Sequence, residues 1–478
     1  MGRSNTNRAG TSDQSETSPP PDAATPSHNS TISTANTPTS SPTKQLISLA
    51  IPIFGQLIAE PTFILIDTAI VGHIGDTSLA GLSIGSTIIL TAVGLCIFLA
   101  YSTTSQVARL IGAGRRREGL QTGLDGMWLA LLIGAVLGIA LFAAAEPLCR
   151  LLGGQGDVLD QAVIYTRAIV LGAPGMLLVY AANGIFRGLQ KVRITLIAAV
   201  AGAVANTVLE VLFVLVLRWG IFGSGFATLI AQWFMGIFLA IPAIMWARAD
   251  GASLRPHWHG IIAAGGDGFP LFIRTLAIRA AMVMTVASAA RMGTDVLAGF
   301  QAVNSCWNFA MNMLDSVAIA GQTMVGNALG ASDTSRARFL TRATGRGGIL
   351  TGVVVGAGFA VIGLVAGHAF SPNPNIQTLV AVGMVTMGVF FPLQGWMMAL
   401  DGVLIGAGDF RYLATTCTVV TLAHIAVLGT AITLVAPTLP NDLWRTAALW
   451  LIFNIVLMGG RTIANVHRAS GDQWMRAV

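Results

Sequence analysis

The sequence predicts an all-α polytopic membrane protein, with twelve transmembrane helices arranged as two parallel six-helix repeats. Three observations carry that prediction. Charged residues make up 10% of the 478-residue chain and hydrophobic ones 54%, against roughly 25% charge in a soluble domain, and the mean hydropathy is +0.71. Apolar runs of about 20 residues, enough to cross about 30 Å of hydrocarbon, recur from Leu46 onward between short polar breaks. Landmarks of the first half of the chain return in the second half at a constant offset of 218 residues.

Taken in order, residues 1–44 are rich in Ser, Thr, Pro and Asn and cannot bury enough apolar surface to offset ordering entropy, so a disordered tail is expected there. No apolar core of a secretory signal precedes Leu46, and Asp13, Glu16 and Asp22 are foreign to an organelle transit peptide. The expected spans are 46–71, 79–108, 121–145, 160–183, 194–217 and 221–247 in a first lobe over 45–250. They continue as 261–289, 296–329, 347–369, 376–400, 412–436 and 444–466 in a second lobe over 251–470, with 471–478 left as a C-terminal tail. The offset maps Pro52 to Pro270, Gly75 to Gly293, Leu79-Ala80-Gly81 to Leu297-Ala298-Gly299, Gly112 to Gly330, Pro174 to Pro392 and Arg193 to Arg411. Six spans separate the copies, an even number, so both halves face the same way, and a substrate site at their interface is the expected arrangement.

Charge sets the expected topology. With the N-terminus cytoplasmic, 20 of the 27 basic residues fall in the tail or in inner loops, among them Arg115, Arg187, Arg342, Arg346 and Arg461, and only five in outer loops. That asymmetry is the positive-inside pattern of a multi-pass cell-membrane protein with both termini cytoplasmic. The net charge of +6 therefore reports orientation, and no nucleic-acid partner is expected. Cys96, Cys149, Cys306 and Cys417 are scattered through apolar stretches without metal or redox spacing, and the histidines form no ligand pair, so neither a metal nor a cofactor is expected. No phosphate-binding Gly-x-x-x-x-Gly-Lys-Ser/Thr loop occurs, so ATP is not expected to drive the chain directly, and no nucleophile, base and orienting group stand at usable spacing, which argues against an enzyme.

Ionisable groups at membrane depth are costly and are functional candidates by default. The first span holds Glu60-Pro61 and Asp67; the two acids, seven residues apart, project from one helix face, and Pro61 frees the carbonyl of Leu57 and marks a helix hinge. A carboxyl beside a hinge can couple protonation to helix packing, which makes Asp67 the main proton-site candidate and Glu60 a second one. Asn206 and Glu210, four apart in the fifth span, could share a proton or cation with Asp67, or could simply make a helix–helix hydrogen bond. Arg274 and Arg279 in the seventh span need partners, and Asp315 in the eighth is the nearest acid, giving an expected Arg274–Asp315 ion pair or a substrate contact. Asp401, at the end of the tenth span, reads as interfacial. Trp307, Trp396, Met397 and Met398 either line an adaptable cavity or belong to the core.

Together these residues resemble the multidrug and toxic compound extrusion (MATE) family, and within it the DNA-damage-inducible F (DinF) branch. The resemblance covers nearly the whole chain after residue 44. It rests on Glu60-Pro61 with Asp67-Thr68-Ala69-Ile70-Val71-Gly72-His73, on Asn206 with an acid at 210, and on Gly184-Ile185-Phe186-Arg187-Gly188, Ile273-Arg274-Thr275 and Leu314-Asp315. It implies a V-shaped pair of six-helix lobes and an antiporter that exports small organic solutes, such as drugs, toxins or metabolites, against protons or sodium by alternating access. It also implies a cation site at Asp67, Asn206 and Glu210. Glu210 stands where the family usually has Asp, and Leu428 occupies its place in the second half, which favours protons over sodium. A sodium-coupled or organic-anion exporter of the same family and a lipid-linked oligosaccharide flippase are the alternatives.

Overall fold

A computed structural model describes residues 41–476, and among these no strand occurs. Residues 1–40, most of the expected tail, lie outside the described residues, whereas its last three belong to the first helix, which the Ser41 hydroxyl caps by accepting from the Lys44 amide. The first half comprises α1 (Pro42–Gly72), α2 (Asp76–Gly112), α3 (Arg116–Ala143), the bent α4 (Gly156–Val170 with Ala173–Gly188), α5 (Val192–Val216) and α6 (Gly220–Ala249). The second half comprises α7 (Trp258–Met292), α8 (Thr294–Gly330), α9 (Thr334–Val365), α10 (Pro374–Gly406), α11 (Phe410–Thr438) and α12 (Asp442–Ser470).

Ten of these helices are long and apolar enough to cross a membrane, and α4 makes eleven if its 46° bend is counted within one span. The remaining expected span is α8, which at 37 residues equals α2 in length. Asn304, Asn308, Asn312, Asp315 and Gln322 give it a more polar composition than its neighbours. The ninth span begins at Thr334 and not near 347. Arg336, Arg338, Arg342 and Arg346, read from sequence as a loop, instead occupy the first turns of α9, because Asp333 caps that helix by accepting from the Arg336 amide at 2.9 Å.

The repeat reappears in the backbone itself. Left-handed φ values recur at the offset of 218: Gly75 (+151°) with Gly293 (+143°), Gly114 (+74°) with Ser332 (+57°), and Gln190 (+58°) with Gly408 (+78°). Both α5 and α11 also end in a π-helical turn, at Val211–Val216 and Ala431–Val435.

The two halves meet most closely where α2 crosses α8, and the crossing is itself symmetric. A Cβ on Gly112 would overlap the carbonyl of Asn327, and a Cβ on its repeat mate Gly330 would overlap the carbonyl of Arg109, the mate of Asn327. Only glycine lets backbones approach this closely. Gly330→Ala should therefore force the helices apart and cost about 1–3 kcal/mol, as overpacking typically does. The check is heat denaturation of purified protein in mild detergent beside Gly358→Ala, a helix-interior site with nothing within 4 Å. Equal transition temperatures for the two variants would refute a tight crossing.

Candidate functional site

A cleft lined by Glu60 and Asp67 lies inside the first half, between α1, α2, α4, α5 and α6, with about 940 Å³ of space that includes open solvent. A smaller cavity between the halves, at the expected position, is lined by Tyr101, Arg274, Asp315 and Asp401; the larger cleft lies within one half. The small residues on α2 explain it: at Gly81 and Gly85 the α4 backbone and Tyr165 come so near that no Cβ would fit, which draws the helices into a ring around the cleft.

Glu60 and Asp67 both line this cleft, as their seven-residue spacing requires. Glu60 is exposed to it, whereas Asp67 is buried in its wall. Helix α1 runs unbroken through Pro52 and Pro61. Asn206 donates its amide to Asp67 Oδ1 at 2.6 Å, and Thr228 donates its hydroxyl to Oδ2 at 3.4 Å. Glu210 is fully buried against Asp67 and Ser224. Among the described residues no amide, guanidinium or other N–H donates to either of its carboxyl oxygens. Among the described residues no Lys, Arg or His lies within 4 Å of either acid. Two facing buried carboxyls without a counter-charge form a site whose electrostatics an added proton relieves.

Thr228 and the aromatic wall of Phe63, Tyr165 and Tyr180 were not singled out from sequence. A signal for Thr228 did exist, since Thr446 stands at its offset of 218. The same shift carries Asp67 to Thr285, Asn206 to His424 and Glu210 to Leu428. The second half keeps the geometry without the acids: Thr285 Oγ1 and His424 Nε2 lie 3.0 Å apart, both fully buried, as is Thr446.

A family model described as MatE matches residues 52–212 and again 270–428, so each half matches it separately at nearly the repeat offset. The chain belongs to the MatE family. Its relatives include Protein DETOXIFICATION 43 of Arabidopsis thaliana, 28% identical over 445 residues, 80% of this chain and 84% of that protein. They also include DNA damage-inducible protein F of Escherichia coli (strain K12), 28% identical over 440 residues, 89% of this chain and 92% of that protein. The fold is that of a solved MATE in complex with MaD3S, with a TM-score of 0.79 at 21% identity over 90% of this chain and 97% of that one. An outward-facing multidrug resistance MATE family transporter matches at 0.78 and 21% identity over 91% and 96%. As a member of the MatE family the chain is a multi-pass membrane transporter and not an enzyme.

A second polar cluster in this MATE transporter corrects the expected pairing of Arg274 with Asp315. The Arg274 guanidinium is bonded to Asp401, which also accepts from Arg461 Nη2 at 2.6 Å and from Asn465 Nδ2 at 2.8 Å. Asp401 is thus not interfacial; it is 2% exposed. Asp315 instead accepts from the Tyr101 hydroxyl at 3.1 Å, across the two halves. The reason is reach: α10 and α12 pack side by side and put Asp401 and Arg461 on facing surfaces, while Tyr101 of α2 fills the space in front of Asp315. Arg187 and Arg461, counted from sequence as loop charges, are both buried, Arg187 donating to Gln56 at 3.1 Å in the cleft wall. Arg279 is exposed, lies against Gly94 and has no carboxylate within 4 Å among the described residues. Trp307 and Met397 belong to the core of the second half, Trp307 donating to Gln394 at 2.9 Å.

Proposed function

We propose that this transporter exports organic solutes in exchange for protons, by alternating access between a lobe at 45–250 and a lobe at 251–470. The observation that carries the reading is the buried Asp67–Glu210 pair, Asp67 in the wall of the cleft, with Asn206 and Thr228 as neutral partners of Asp67 and, among the described residues, no counter-cation. In this reading a proton reaching the pair from the cleft removes a like-charge repulsion, α1 repacks about Pro61, and solute is released. The acid-free Thr285–His424–Leu428 copy in the second half supports a coupling site confined to the first. Sodium favours several oxygen ligands, and the amide and hydroxyl donors turned on Asp67 suit a carboxyl better than a shared cation.

The cleft wall suits a flat, apolar organic cation, because Phe63, Tyr165 and Tyr180 offer π faces, Met176 and Met235 adapt in shape, and Glu60 supplies an exposed acid. A second reading, an organic-anion substrate, is favoured by one observation, the unpaired guanidinium of Arg279. The α2–α8 crossing would close the cytoplasmic side, with both termini on that side.

The test is counterflow of a fluorescent aromatic cation in proteoliposomes under separately imposed proton and sodium gradients. Uptake against concentration with a proton gradient alone is expected. Accumulation that follows only the sodium gradient would overturn the coupling assignment, and accumulation of an aromatic anion in place of the cation would favour the second reading.

A further inference from the structure

The transport reading leaves unused a groove at the start of α9, walled by α9, α10, α12 and the turn Gln473–Arg476, that encloses about 1070 Å³ of space open to solvent. Arg338, Arg342 and Arg346 stand at four-residue intervals along it, one above another on a single helix face. Arg338 is bonded to Asp472 of the folded-back C-terminal segment. Among the described residues neither Arg342 nor Arg346 has a carboxylate within 4 Å, and both are exposed. Loop arginines that only set topology need no groove; these two border one.

The floor and the continuation of the groove are apolar. Trp396 and Leu400 of α10 form the floor, with Gly345 of α9 packed against the Trp396 ring. Below Arg346 the same face of α9 runs on through Ile349, Leu350 and Val353, which are 37%, 66% and 48% exposed. In a membrane-spanning helix such an exposed aliphatic stripe is covered by lipid tails. Two guanidinium groups without a carboxylate partner among the described residues thus border the same groove as an indole, and the groove leads into an acyl-chain track. Arginine suits phosphate because its planar fork donates two hydrogen bonds at once, and basic pockets between membrane helices at the headgroup level suit anionic lipids.

We propose that Arg342 and Arg346, with Trp396 beneath them, bind the phosphate headgroup of an anionic phospholipid whose acyl chain lies along Ile349, Leu350 and Val353. A soluble anion would make no use of the aliphatic continuation, which is why the bilayer is the source assigned. Trp474, fully buried with its Nε1 donating to the Gly471 carbonyl at 2.9 Å, holds the C-terminal segment as the fourth wall, so the site is built from groups that the chain keeps in place.

The experiment is native mass spectrometry of the full-length protein in detergent, titrated with phosphatidylglycerol or with phosphatidylcholine of the same chains. The wild type is expected to retain phosphatidylglycerol adducts preferentially. Arg342→Gln/Arg346→Gln should lose that preference by about 30-fold, as removal of two basic residues from an anionic lipid surface implies, while phosphatidylcholine adducts stay unchanged and report intact folding. Arg342→Lys/Arg346→Lys should retain a preference weaker than wild type. An unchanged phosphatidylglycerol preference in the glutamine variant would overturn the site. Full displacement of the lipid by millimolar inorganic phosphate would overturn the lipid assignment in favour of a soluble anion.

Discussion

Asp67→Asn is expected to abolish gradient-driven export while leaving the protein folded and able to bind solute. The substitution is nearly isosteric and keeps an oxygen to accept from Asn206 Nδ2, whose present bond to Oδ1 is 2.6 Å. What it removes is the exchangeable proton and the charge beside Glu210. If the Asp67–Glu210 pair transmits the proton gradient to α1, the asparagine fixes that end of the pair in a neutral form, and efflux should fall at least tenfold, to the rate without a gradient. Moving a two-state equilibrium from 1:99 to 99:1 takes about 5.5 kcal/mol, and a variant that cannot change charge supplies no such bias. The measurement that separates this role from a structural one is solute affinity against pH. The wild type should bind more weakly as protons compete, and Asp67→Asn should give a shallower profile, with Glu60 and Glu210 the acids left to titrate. Glu210→Gln, which leaves Asp67 charged and without a facing acid, should keep a pH dependence that is displaced from that of the wild type. Undiminished proton-coupled efflux in Asp67→Asn would exclude this site as the coupling element.

How much of this was legible in the sequence depends on the distance over which each feature is encoded. The helices are local: apolar runs and turn glycines such as Gly75 and Gly293 lie within a few residues of what they specify, and their offset of 218 is printed in the chain. The meeting of Asp67 with Asn206 and Glu210 was legible because Asn206 and Glu210 are four apart on one helix face and both turn inward to α1. The cluster at Asp401 was not. Its carboxylate ends an apolar run, in Ala399-Leu400-Asp401-Gly402, and Arg461 follows Gly459-Gly460, so each reads alone as the rim of a span. Only the packing of α10 on α12 shows that both are interior. One local clue existed: Arg461 and Asn465 are four apart, and both bond Asp401. The cleft's position within one half was equally hidden, because it follows from how closely Gly81 and Gly85 let α2 approach α4, and sequence shows the glycines without their partners.

Asp401→Ala is expected to cost more stability than any other single substitution in the second half. Its carboxylate faces two guanidinium groups, Arg274 of α7 and Arg461 of α12, each less than a tenth exposed, and so ties three helices together. Removing one partner of a buried ion pair strands the other charge, at a typical cost of about 3–5 kcal/mol; here two charges are stranded, and Asp315, already engaged with Tyr101, is not placed to replace it. Asp401→Asn should fall between the two, since a carbonyl oxygen can still accept from one guanidinium and Asn465 retains a polar neighbour. The sharper comparison is the triple replacement Arg274→Met/Asp401→Leu/Arg461→Met. Well-packed apolar side chains often match or exceed a buried ion pair in stability, so the triple variant should melt closer to wild type than Asp401→Ala does. Heat denaturation in mild detergent, followed by size-exclusion chromatography of the soluble fraction, measures all three. If the triple variant and Asp401→Ala are equally destabilised, the cluster acts through shape and packing. If the triple variant recovers, the cost in Asp401→Ala is that of uncompensated charge, and the retention of three ionisable groups in this lobe then reflects a demand other than stability.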